Sequence, residues 1–237
     1  MNTQSPTKIV GVIASAEDAR IVQANPQAAD LYEFRADLAY SNPEVENAVK
    51  MLRERGKEII LTVRDYREGG GKPQGIMERI AVFEHYILLA DFIDIEIAWL
   101  TAFGEPFQAF RKRHGVKIIA SSHYFYDAAP DVLALEKIFA GSVSAAVDVL
   151  KIVASLETDQ KLSAFTKDIN SVKERYESWC GIKIVLKAMC KTCIPNPGIS
   201  FAARPNAFVY GYLARPSTVG QWQVSTLRDK LRELHAV

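Results

Sequence analysis

Val147-Asp148-Val149-Leu150-Lys151-Ile152-Val153 is a short apolar run, rich in β-branched residues, and it has the composition of a buried strand. It carries one lysine. Burying an unpaired ammonium incurs a large desolvation penalty, so the lysine needs an explanation. It either sits at the strand end and reaches out to water, or its amine is pushed towards neutrality by apolar surroundings and serves as a nucleophile towards a carbonyl. Taken alone, the run favours the first reading, and the rest of the chain has to change that balance.

Similar runs recur. Residues 8–13 (KIVGVI), 29–35 (ADLYEFR), 58–64 (EIILTVR), 92–97 (FIDIEI), 116–122 (VKIIASS), 182–186 (IKIVL) and 207–213 (AFVYGYL) read as seven further strands. Helical spacing follows most of them. Asn42-Pro43-Glu44 has the cap, first-turn proline and acidic residue of a helix start, and Gly56 is placed to stop that helix. The strands are all-apolar instead of alternating, which indicates a parallel sheet covered on both faces. Eight strand-helix units in 237 residues predict a (β/α)8 barrel, with an open doubly wound sheet as the alternative. With no linker, repeat or composition shift, one domain over 1–237 is expected.

Composition narrows the function classes. The chain has 49% hydrophobic residues and 29 basic against 28 acidic side chains, for a net charge of +1. That balance carries no electrostatic footprint for nucleic acid. Residues 1–7 are polar and lack the apolar segment of a signal peptide, and no run is long enough to span a bilayer. Three cysteines suggest a reducing compartment. A cytoplasmic protein acting on a small molecule is the expectation.

In a barrel the active site forms where the strands end. Here Glu33-Phe34-Arg35 ends the second predicted strand, Arg64 the third, Glu96 the fourth and His123 the fifth, while Lys151 lies on the sixth. An amine among arginines inside an apolar barrel is expected to be pushed towards its neutral form by desolvation and like charge. It could then form an imine with a ketone, whose protonated form makes an adjacent proton easier to remove. His123 could take and return that proton. Glu96 could orient His123, and Arg35 and Arg64 could hold anionic or oxygen-rich substrate groups through bidentate contacts.

The set Glu33-Phe34-Arg35-Ala36-Asp37, Leu61-Thr62-Val63-Arg64 with Glu68-Gly69-Gly70, Asp94-Ile95-Glu96, Ser121-Ser122-His123-Tyr124-Phe125 and Asp148-Val149-Leu150-Lys151-Ile152 resembles the type I 3-dehydroquinate dehydratases, (β/α)8 enzymes of the shikimate pathway. The resemblance implies that Lys151 is the Schiff-base lysine, His123 the general acid/base and Glu96 its supporting acid. It implies that Glu33, Arg35, Arg64, Arg204, Ser217 and Gln221 bind substrate, that no metal or organic cofactor is needed, and that the chain is a homodimer. Residues 188–203 depart from the family pattern. A class I aldolase and a barrel that has lost activity are the rival readings.

Other signals have plainer explanations. The glycine-rich 65–75 loop lacks phosphate-loop spacing and reads as an active-site loop. Cys190 and Cys193 have metal-ligand spacing, but no second pair is visible. His85, His114 and His235 read as surface or helix-end residues, and Trp99, Trp179 and Trp222 as packing residues.

Overall fold

The structure, a computed structural model, describes residues 7–125, 129–156, 158–180, 183–190, 207–216 and 221–235. The strands are β1 (Lys8–Ile13), β2 (Leu31–Arg35), β3 (Ile59–Thr62), β4 (Phe92–Glu96), β5 (Lys117–Tyr124), β6 (Val149–Leu156), β7 (Lys183–Cys190) and β8 (Phe208–Tyr212). They form one sheet in the order β7-β6-β5-β4-β3-β2-β1-β8. Every ladder is parallel. Strand β8 pairs with β1 from Lys8↔Phe208 to Val12↔Tyr212, and the sheet curls so that its two end strands, β7 and β8, approach each other. Strands β7 and β8 lie side by side, with no ladder between them among the described residues. This is a (β/α)8 barrel.

Nine α-helices surround it among the described residues: α1 (Ala16–Ala24), α2 (Ala36–Ala39), α3 (Pro43–Glu54), α4 (Ile76–Tyr86), α5 (Ile97–Ala102), α6 (Gly104–His114), α7 (Val132–Ser144), α8 (Asp159–Cys180) and α9 (Val224–His235). Helix α3 starts as its sequence dictates. The Asn42 side chain accepts from the backbone N–H groups of Glu44 and Val45 at 3.1 and 3.4 Å, and Gly56 ends the unit in the left-handed region at φ 75°.

The two faces of the sheet build two cores. The outer one packs strands against helices through residues such as Ile13, Phe34, Val49, Leu52, Ile93 and Leu150. The inner one fills the barrel with Leu31, Ile60, Phe92, Ile119, Val149 and Phe208. Because a strand alternates sides with period two, the residues two positions further along also face inward. These are Glu33, Thr62, Asp94, Ser121, Lys151 and Tyr210. Two further positions bring Arg35, Arg64, Glu96 and His123 to the mouth. An apolar layer, a mixed polar layer and a charged rim therefore stack up the barrel.

The first and last units are tied together. One Asp18 carboxylate oxygen accepts from the Ala214 N–H at 3.0 Å, and the other accepts from the Ala14 N–H and the Ser15 hydroxyl at 3.1 and 2.8 Å.

Some strand boundaries differ from expectation. Strand β6 is Val149–Leu156, so Lys151 is its third residue and lies well inside it. The run starts late because Asp148 is held before the strand, accepting from the Ile118 N–H at 2.8 Å and from Arg111 at 3.0 Å. It ends late because β5 also continues, pairing His123 with Val153 and Tyr124 with Ala154. His123 therefore belongs to a strand and does not follow one. Strand β7 likewise extends to Cys190.

Removing the side chain of Ile60 from the inner apolar layer opens a cavity that the closed sheet cannot collapse. Ile60→Ala should lower unfolding stability by about 2–5 kcal/mol, read as a lower urea midpoint with an unchanged slope.

Candidate active site

Lys151 is buried, with 4% of its surface exposed. Its Nζ donates to Asp94 Oδ2 at 2.9 Å and to Glu33 Oε1 at 3.5 Å, and it lies 4.1 Å from the centre of the Tyr210 ring. Its nearest charged partners are therefore carboxylates, not the arginines the sequence suggested. Asp94 is fully buried. It accepts from the Ser121 hydroxyl at 2.6 Å and pairs with Arg64 at 2.9 Å. Burial pushes its carboxyl up, but Arg64 and Lys151 more than reverse that and hold it well below the usual carboxylate range. Glu33 is fixed by the Thr62 hydroxyl at 2.8 Å.

His123 lies on the neighbouring strand, one inward-facing step nearer the mouth, since Ser121 is the residue in register with Lys151. Its Nδ1 is 2.9 Å from Glu68 Oε2, and its backbone N–H donates to the same oxygen at 2.9 Å. Phe125 stacks against the ring, with centroids 5.8 Å apart. Burial and then the positive charges of Arg64 and Lys151 hold the imidazole pKa well below its ordinary value, so the ring is neutral near pH 7. Burial raises Glu68 to about 7. Arg64 opposes the shift and Glu96 adds to it. Glu68 reaches the histidine because its loop doubles back. Gly69 adopts φ 88°, and a Cβ on Gly70 would stand 2.1 Å from the Arg64 carbonyl oxygen. A neutral imidazole backed by a carboxyl group, beside a buried amine, is equipped for proton transfer next to an imine.

Comparison with known proteins agrees with this arrangement. Residues 8–189 match the family model described as Type I 3-dehydroquinase. The chain belongs to that family. A 3-dehydroquinate dehydratase from Hydrogenobaculum sp. (strain Y04AAS1) is 34% identical over 100 residues, an alignment that spans 41% of this chain and 44% of that one. One from Thermococcus gammatolerans is 28% identical over 226 residues, covering 94% of this chain and 97% of that one. The crystal structure of a 3-dehydroquinate dehydratase from Geobacillus kaustophilus HTA426 shares the fold, with a TM-score of 0.81 at 18% identity over 98% of this chain and 92% of that one.

Within this type I 3-dehydroquinase, the expected role of Glu96 needs correction. It points inward as predicted, but not at the histidine. It accepts from Arg64 at 3.0 Å and from the Asp65 N–H at 2.9 Å, and it pairs closely with Arg79. Arg79 comes from α4, is buried, and also donates to the Val63 carbonyl at 2.6 and 3.1 Å while lying over Trp99. These cations hold Glu96 away from His123, and Glu68 takes the place expected for it. Arg64 was expected to present an open fork. Its NH1 donates to Glu96 and Ser121 and its NH2 pairs with Asp94, so it fixes the acidic side chains around the lysine. Arg35 stands at the rim with both arms on Asp37 at 2.9 and 2.8 Å and a further bond to the Gly69 carbonyl at 3.1 Å.

Gln221 is buried beside the end of β8, where the Tyr212 N–H donates to the Trp222 carbonyl at 2.9 Å. Arg204, Ser217 and Cys193 lie outside the described residues. Among the described residues, no group of three or more metal-ligating side chains is placed to hold an ion, and no helix is long and apolar enough to cross a membrane. The residues missed from sequence are Asp94, Glu68, Arg79 and Tyr210. Asp94 was open to detection, because it has the same inward parity as Glu96.

Arg79→Met should leave the buried Glu96 under-neutralised and lower stability by about 3–5 kcal/mol in urea unfolding. Adding Glu96→Gln should recover part of that loss.

Proposed function

We propose that this chain converts 3-dehydroquinate to 3-dehydroshikimate and water through an imine on Lys151. The observation that supports this most directly is the buried Lys151 amine on β6 beside a neutral His123 on β5 that is backed by Glu68. In this reading the Lys151 nitrogen adds to the C3 ketone and water leaves, giving the protonated imine. His123 removes a proton from C2, and the electron pair moves into the enamine. The enamine then expels the C1 hydroxyl as water with the proton from His123, and hydrolysis of the imine frees product and lysine. No electrons are gained or lost overall, and one water is released, so the imine is the electron sink and no cofactor enters.

Glu33, Arg35, Arg64, Arg204, Ser217 and Gln221 are the proposed substrate-binding groups, with Glu33 nearest the reacting nitrogen. Glu96 acts through Arg64 instead of through the histidine. The chain is read as one domain, working as a homodimer in the cytoplasm on a small molecule, and its balanced charge and few cysteines support that setting.

Borohydride added with 3-dehydroquinate should trap substrate mass on the wild type, and Lys151→Ala should trap none. A wild type that neither traps nor generates the absorbance of the conjugated product would sink the reading.

The acid-base pair predicts a pH profile. His123 stays neutral far below its ordinary range, so Glu68 is the group that ionises as pH rises through about 7. Once ionised, it accepts from Nδ1–H and leaves Nε2 as the base. The value of kcat/KM should rise with pH through that value. Glu68→Gln should abolish this limb and lower the plateau roughly 10²-fold, measured by steady-state kinetics from acid to neutral pH.

A further inference from the structure

Tyr210 is a member of the inner polar layer to which the chemistry above assigns no task. It stands on β8, two positions beyond Phe208, and is 8% exposed. Its ring centre lies 4.1 Å from Lys151 Nζ, so the lysine's charge rests over an aromatic face. Its hydroxyl is buried and has no hydrogen-bond partner among the described residues. An unpaired buried hydroxyl is a cost to the fold, and the contact that Tyr210 makes with the reacting group is made by the ring.

The other groups around the amine among the described residues come from four strands. Asp94 on β4 accepts from it at 2.9 Å and Glu33 on β2 at 3.5 Å. Arg64, just past β3, pairs with the same Asp94 oxygen at 2.9 Å, and His123 lies on β5. An ammonium has three N–H donors and can serve two carboxylates and a ring together. A protonated imine has a single N–H. When the ketone adds, at least one of the two carboxylate hydrogen bonds must be lost. Attraction to a ring face follows the charge and requires no particular hydrogen, so it survives the change.

We propose that Tyr210 is a positioning residue for Lys151, whose ring face keeps the cationic nitrogen in place once imine formation has removed at least one of its hydrogen bonds to the carboxylates. This role rests on the imine reading. It acts through the lysine, and the hydroxyl takes no part in it.

Comparison of Tyr210→Phe with Tyr210→Leu tests the role, because the first keeps the face and the second removes it. Steady-state kinetics, borohydride trapping and thermal melting are read on each. The Phe variant should hold kcat within about twofold of wild type and melt no lower, since only an unpaired hydroxyl has gone. The Leu variant should lose roughly tenfold in kcat. Its KM should change much less, because the ring matters after substrate has added. Tyr210→Met gives the same comparison if the Leu variant does not fold. Wild-type kcat in a folded Leu or Met variant overturns the proposal, as does a loss in Phe equal to that in Leu. If the wild type itself neither dehydrates nor is trapped, the imine reading has failed in the parent protein, and the role of Tyr210 falls with it.

Discussion

A carboxylate can be carried into the middle of a closed barrel only if cations go with it, and Asp94 imposes that condition on everything around it. It has no exposed surface and is bound by Arg64, Lys151 and Ser121 at once. Glu33 and Glu96 bring two more buried carboxylates, and Arg79 supplies a third cation beside Arg64 and Lys151. Three negative and three positive side chains thus share one buried volume. Buried pairs of this kind are weak sources of net stability, but leaving one member unpaired is expensive. The set is therefore held as a unit, and the geometry of each side chain is defined by the others.

That unit gives Lys151 and His123 their separate settings. Lys151 is gripped from two sides by carboxylates and from a third by a ring. His123 lies just beyond, kept neutral by burial and then by the charges of Arg64 and Lys151, and linked to Glu68 in the segment that follows β3. The same arginine thus steadies the acids around Lys151 and adds to the burial that keeps His123 unprotonated. Lys151 and His123 can stand on adjacent strands with different partners because the sheet places them in different layers.

Much of this was readable from sequence because strands obey parity. The count of strand-helix units leads to the barrel, and period-two alternation along each strand then turns Glu33, Glu96, His123 and Lys151 to its inside. Parity does not say which inward acid touches which inward base. Strand position and the family resemblance both pair Glu96 with His123, whereas the partner that holds it comes from α4. Arg79 reads as an ordinary charged residue in an amphipathic helix, and nothing local shows that it turns under the sheet. Glu68 sits on a loop whose path depends on the close approach at Gly70, which only the folded backbone reveals. The length of β6 was misjudged for a similar reason: Asp148 is taken out of the strand by contacts with residues about thirty positions earlier.

The tie between β1 and β8 has a consequence for how the molecule comes into being. Lys8 pairs with Phe208, and Asp18 waits for the backbone of Ala214. Tyr210, which completes the surroundings of Lys151, is carried by that same last strand. A chain emerging from the ribosome holds its buried acids, arginines and lysine long before the strand that shuts them away from water has been made. Contacts this distant in sequence form late and slowly. The site therefore has no half-built form: Lys151 acquires its setting only when β1 and β8 meet.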